Sequence, residues 1–129
     1  MAAVDELGME MRSELVGLIV EDEWLLRTEL AEELRRAGFN IEESGTGEDA
    51  LVQLAAGKRL DFLVTDIRLG GPVDGWRVAE AGRAAYPKLG VIYVSANPII
   101  EHRRVAGSIF VGKPCNIPAL LRACTLVTS

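Results

Sequence analysis

The sequence predicts an α/β fold built on a parallel sheet, and three observations lead there. Past Leu15, short apolar runs alternate five times with segments of helical periodicity, the pattern of repeated βα units. Three runs, LVGLIV, LDFLVT and LGVIYV, are apolar almost throughout, as strands covered on both faces must be. Helix-capping residues, Thr46, Asp74, Asn97 and Asn116, stand at junctions between the runs and the helical segments.

Leu15 to Val20 is the first strand. Between Trp24 and Ala37, Leu26, Leu30 and Leu34 recur at helical spacing with Arg27, Glu32, Glu33 and Arg36 opposite, and Gly38 supplies the stop. Phe39 to Glu43 mixes polar and apolar residues, which suits an edge strand. Thr46 and Asp49 resemble a capping box for a second helix, with Ala50, Leu51, Leu54 and Ala55 inward and Gly57 at its end. A third strand runs from Leu60 to Thr65, and a third helix from near Asp74, with Trp76, Val78, Ala79 and Gly82, must finish before Pro87. Leu89 to Val94 is the fourth strand; Asn97 and Pro98 fit the N-cap and first position of a fourth helix. Ile109 to Val111 completes the strands, and Asn116 and Pro118 start a last helix bearing Leu120, Leu121, Cys124 and Val127. Residues 1–13 form an N-terminal extension expected to be flexible, although Val4, Leu7 and Met11 keep a helical spacing; residues 14–129 form the domain.

One core must serve the whole chain, because 129 residues fall within the range of a single compact domain. The formal charge is −5, from 14 Lys and Arg against 19 Asp and Glu, with no long basic run. Nucleic acid is therefore not an expected direct partner, since phosphate contacts need clustered positive charge. Arg35/Arg36 and Arg103/Arg104 read as solvated helix faces. The longest apolar runs, about six residues, are far below the roughly 20 that span a bilayer, and the start MAAVDELGMEMRS has neither the basic nor the apolar part of a signal peptide. Cys115 and Cys124 lack CxxC spacing, which argues against a disulfide framework or a zinc site. A cytoplasmic protein with no membrane partner is expected.

Reactive side chains collect where the apolar runs end: Glu21, Asp22 and Glu23 after the first, Asp66 after LDFLVT, Ser95 after LGVIYV and Lys113 after the last. In a parallel sheet these ends share one edge, the edge at which open α/β sheets place their ligands. Asp66 is a candidate nucleophile toward phosphorus, yet two negative groups about 4 Å apart repel by roughly 4 kcal/mol at an effective dielectric of 20. Positive charge must be present. Glu21 and Asp22 can hold Mg²⁺, which takes one or two carboxylates and keeps water and phosphate oxygens as other ligands. Lys113 can reach a phosphoryl oxygen, and the Ser95 hydroxyl can donate to another.

With VED, LVTD, VSA and GKP in that order, the chain resembles the receiver domain of two-component response regulators from about Leu15 to Leu126. That resemblance implies a flavodoxin-like, doubly wound five-stranded parallel sheet of order 2-1-3-4-5 with five helices. It implies that Asp66 accepts the phosphoryl group from a histidine kinase or a histidine phosphotransfer protein, and that Ser95 and Lys113 grip its oxygens. Asp22 and Asp66 would contact Mg²⁺, with Glu21 arranging it and the main-chain carbonyl of Arg68 completing the protein ligands. Phe110, three residues before Lys113, stands where the family has an aromatic rotamer switch, commonly a Tyr; here it has no hydroxyl. The resemblance also implies a cis bond between Lys113 and Pro114. Beside that family the segment between Ser95 and Lys113 is several residues shorter, which implies a shortened fourth helix, roughly Asn97 to Val105, and an altered output face.

The expectation is a stand-alone receiver that is a switch and not a turnover enzyme, signalling to an unidentified downstream protein or by forming a homodimer. Two rivals come from other classes. A small phosphohydrolase using an aspartyl phosphate would want an acid two residues after the nucleophile, where Arg68 stands. A pseudo-receiver would keep the fold as an interaction module without taking phosphate, yet the full acceptor set is present.

Overall fold

A computed structural model of the chain describes residues 3–4, 10–11, 15–96 and 103–129. Two short strands, β1 (Ala3–Val4) and β2 (Glu10–Met11), pair antiparallel in a sheet of their own. The remaining elements are β3 (Val16–Val20), α1 (Trp24–Arg36), β4 (Asn40–Ser44), α2 (Gly47–Ala55), β5 (Phe62–Asp66), α3 (Gly75–Ala85), β6 (Gly90–Ser95), β7 (Ile109–Gly112) and α4 (Ile117–Val127). The second sheet is parallel throughout and ordered β4-β3-β5-β6-β7, which is 2-1-3-4-5 when its five strands are counted along the chain.

Four helices, not the expected five, are present among the described residues. The helix expected from Asn97 falls outside them up to residue 102, and residues 103–105 are a turn and irregular chain.

Strand alternation divides the core into two layers. Ile19, Phe62, Val64, Ile92 and Val94 point to one face, where Leu30, Ala31 and Leu34 of α1 and Leu120, Ala123 and Cys124 of α4 cover them. Leu18, Val20, Leu63, Val91 and Tyr93 point to the other, under Ala50 and Leu54 of α2 and Trp76, Val78 and Ala79 of α3. Each layer removes apolar surface worth roughly 25 cal/mol per Å² from water.

The caps expected from sequence close three helices. Thr46 accepts from the Asp49 N–H at 3.0 Å, Asp74 from that of Arg77 at 2.9 Å and Asn116 from that of Ala119 at 2.9 Å. Such a cap contributes about 1 kcal/mol. The capping box is only half made, because the Asp49 carboxylate accepts from the hydroxyl of Ser44 and the amide of Gln53. Gly38 ends α1 with a φ of +104°, a conformation that favours glycine.

Candidate functional site

The carboxyl ends of β3, β5, β6 and β7 lie side by side, so the last residue of β5 and of β6 and the turns after β3 and β7 bring their side chains to one edge. Lys113 reaches across that edge: its Nζ is 2.9 Å from Glu21 Oε1 and 2.9 Å from Asp66 Oδ2. Asp66 is 8% exposed and Glu21 3%, so the ammonium offsets charges that have largely left water. The second oxygen of each acid is also partnered. Asp66 Oδ1 accepts from the Arg68 N–H at 3.1 Å, and Glu21 Oε2 from that of Glu23 at 3.2 Å. Asp22 is exposed, and the loop after β5 comes over to it, with Gly70 N–H donating to its Oδ2 at 3.1 Å.

One carboxylate oxygen from each of Glu21, Asp22 and Asp66 lies within 4.8 Å of the others. Three hard oxygen donors with no thiolate or imidazole suit a divalent cation such as Mg²⁺, and the exposure of Asp22 leaves room for water ligands. Burial pushes the Glu21 carboxyl up, against the pull of the Lys113 ammonium and the Glu23 N–H. Burial works against the Lys113 charge too, but the hydrogen bonds to Asp66 and Glu21 outweigh it and raise that group. Asp22 loses some hydration, yet the Gly70 N–H and the Glu21 side chain hold its carboxyl below the usual range.

Ser95 closes β6, is buried, lies in register with Gly112, and accepts the Lys113 N–H on its carbonyl at 3.0 Å. Arg68 has an exposed side chain, and its contribution here is the N–H on Asp66. The bond between Lys113 and Pro114 is cis. Phe110 lies farther down β7, half-buried, stacked on Tyr93 with ring centroids 5.1 Å apart and 6.1 Å from Trp76. The Arg104 guanidinium sits 4.9 Å above the same ring. Tyr93 is fully buried, and its hydroxyl accepts from the Val105 N–H at 3.1 Å.

Trp76 packs in the core, whereas Trp24, the first residue of α1, is 66% exposed. His102 lies outside the described residues. Arg27 was placed on a solvated face by periodicity, yet its guanidinium folds back onto the Glu21 carbonyl at 2.9 Å and Glu43 at 3.3 Å. Gly45, just past β4, leaves room for it: a Cβ there would stand 3.0 Å from the guanidinium.

Residues 18–125 match the pattern of the response regulator receiver domain. A curated relative, the transcriptional regulatory protein PdtaR of Mycobacterium tuberculosis, is 34% identical over 116 residues, covering 87% of this chain and 56% of its own. The chain thus spans about half the length of that relative. Among solved structures, a response regulator receiver protein from Sinorhizobium medicae is 31% identical with a TM-score of 0.85, covering 88% of this chain and 94% of that one. The response regulator protein TrrA from Thermotoga maritima, in complex with Mg²⁺ and BeF, is 26% identical with a TM-score of 0.79, covering 88% and 98%.

Proposed function

The chain belongs to the response regulator receiver family, and on that premise we propose that Asp66 accepts a phosphoryl group and that the resulting change of shape is read by a protein partner. Receiver domains are signalling switches of two-component systems, and the donor here would be a sensor histidine kinase or a histidine phosphotransfer protein. The observation that carries the reading is the Asp66 carboxylate, buried at a strand end and bonded to Lys113 beside Glu21 and Asp22.

An Asp66 oxygen attacks phosphorus in line with the bond from phosphorus to the donor's imidazole nitrogen. That bond breaks, the nitrogen keeps its electron pair and takes a proton, and an aspartyl phosphate results. Mg²⁺, held by Asp22 and Asp66 with Glu21 arranging it and the Arg68 carbonyl as a further ligand, would neutralise charge on the transferring group. Lys113 then exchanges one carboxylate partner for a phosphoryl oxygen, and the Ser95 hydroxyl donates to another. Nearly two added negative charges draw Ser95 and its loop toward the edge, which opens space for Phe110 to leave its stack. The altered β7 and α4 surface is what a downstream protein or a second copy reads. Among the described residues no helix is long and apolar enough to cross a membrane, and Cys115 and Cys124 form no disulfide.

The test is intact mass after incubation with acetyl phosphate and MgCl₂. A gain of one phosphoryl group in the wild type, absent from Asp66→Asn and from samples containing a chelator, is the expected result. Steady release of phosphate without accumulation would instead indicate a hydrolase, and an unmodified chain an interaction module.

A further inference from the structure

We propose that Arg27 is a positioning residue for the metal-holding acids, acting through the main-chain carbonyl of Glu21 and anchored by Glu43; this rests on the reading of Asp66 as a Mg²⁺-assisted acceptor. The Arg27 Nη1 donates to the Glu21 carbonyl at 2.9 Å. That carbonyl belongs to the peptide unit joining Glu21 to Asp22, and a peptide unit is planar, so holding its oxygen fixes the direction in which Asp22 leaves the chain. From the other side, Glu21 N–H donates to the Ser44 carbonyl at 3.1 Å. The main chain of Glu21 is therefore held at both its N–H and its carbonyl.

The anchor is itself restrained. Glu43 takes Arg27 Nε on one oxygen at 3.3 Å and Arg35 Nη1 on the other at 3.1 Å, and Arg35 also donates to the Ile41 carbonyl at 2.7 Å. Gln53 holds the Glu43 carbonyl at 2.9 Å. Room for the guanidinium comes from Gly45, where a Cβ would approach Nη1 to 3.0 Å. The planar fork of one guanidinium bonds the carbonyl through Nη1 and the carboxylate through Nε in a fixed relation; a lysine ammonium keeps the charge but not this geometry. Charge alone would act in the opposite sense, since a cation beside the acids repels Mg²⁺. Positioning and electrostatics therefore predict opposite outcomes.

The experiment titrates MgCl₂ into the protein and follows the backbone amides of Asp22, Glu23 and Gly70 by NMR, for wild type, Arg27→Lys, Arg27→Met and Arg35→Met. Arg27→Lys and Arg27→Met should each weaken Mg²⁺ binding by about tenfold, the usual loss when a supporting contact to a metal ligand goes, while Arg35→Met changes it less than about twofold. Without Mg²⁺, hydrogen exchange at the Glu21 and Glu23 amides should speed up in both Arg27 variants while the β5 and β6 amides stay protected. Unchanged or tighter binding in Arg27→Met would overturn the proposal and identify Arg27 as a repelling charge. Equal loss of protection across the sheet would also overturn it, as general loosening. A wild type that binds no Mg²⁺ removes the acceptor reading itself, and this inference with it.

Discussion

Gly75 meets the backbone of Asp66 so closely that a Cβ there would lie 1.9 Å from the Asp66 carbonyl oxygen. Its N–H donates to the Ile67 carbonyl at 2.8 Å, which seats the start of α3 directly behind the proposed acceptor. Gly75→Ala should cost about 3 kcal/mol as an overpacked contact, visible in thermal unfolding as a drop on the order of 10 °C. Cys124 makes a second residue-scale case. Burial pushes its thiol up to about 12, with Cys115 nearby adding to the effect. The folded chain keeps a proton that the unfolded chain releases near 9, so this contribution to stability is whole below pH 9 and is lost as pH rises toward 12. Urea unfolding across that window should show a wild-type decline steeper than that of Cys124→Ala by at most about 1.4 kcal/mol per pH unit. Site residues were readable in the sequence one at a time because each follows an apolar run. Arg27 was not, because its partners are a carbonyl and a carboxylate from other elements, and periodicity assigns a residue to a face without saying where a long side chain bends.

At the scale of elements, the apolar runs located all five strands of the parallel sheet, with small errors at their ends that have physical causes. Leu60 was read as a strand start, but Asp61 only opens the strand: its N–H donates to the Val16 carbonyl at 2.8 Å and its carboxylate accepts the Val16 N–H at 2.8 Å. Leu89 likewise turns back to the Tyr86 carbonyl at 2.9 Å before β6 begins. At the other ends, Asp66 and Ser95 were expected just past their strands and prove to be the last paired residues, Asp66 with Val94 and Ser95 with Gly112. That last pairing matters for the site, because a ladder residue is held by the strand beside it, here β6 for Asp66 and β7 for Ser95, whereas one on a loop is not. Asn97 and Pro98 carry a helix-start signal of the same kind as Asn116 and Pro118, and a cap signal says where a helix can begin but not how far it runs.

For the molecule as a whole, the order 2-1-3-4-5 places β3 and β5 at adjacent central positions, so the acid pair and the acceptor meet without any long loop. Lys113 arrives from the edge strand two positions away from β5 and ties the far side of the sheet to its centre. Beside β7, Phe110 stacks on Tyr93, Trp76 meets both rings at an angle and Arg104 sits over Phe110. If phosphoryl transfer to Asp66 releases Phe110, the surroundings of the buried Trp76 must change with it. Acetyl phosphate with MgCl₂ should therefore shift the emission of Trp24→Phe protein, in which Trp76 is the remaining indole, and leave that of the same protein bearing Asp66→Asn unaltered. The indole beneath Phe110 amounts to a built-in optical gauge, one that would let the kinetics of activation be followed in unlabelled protein, in real time.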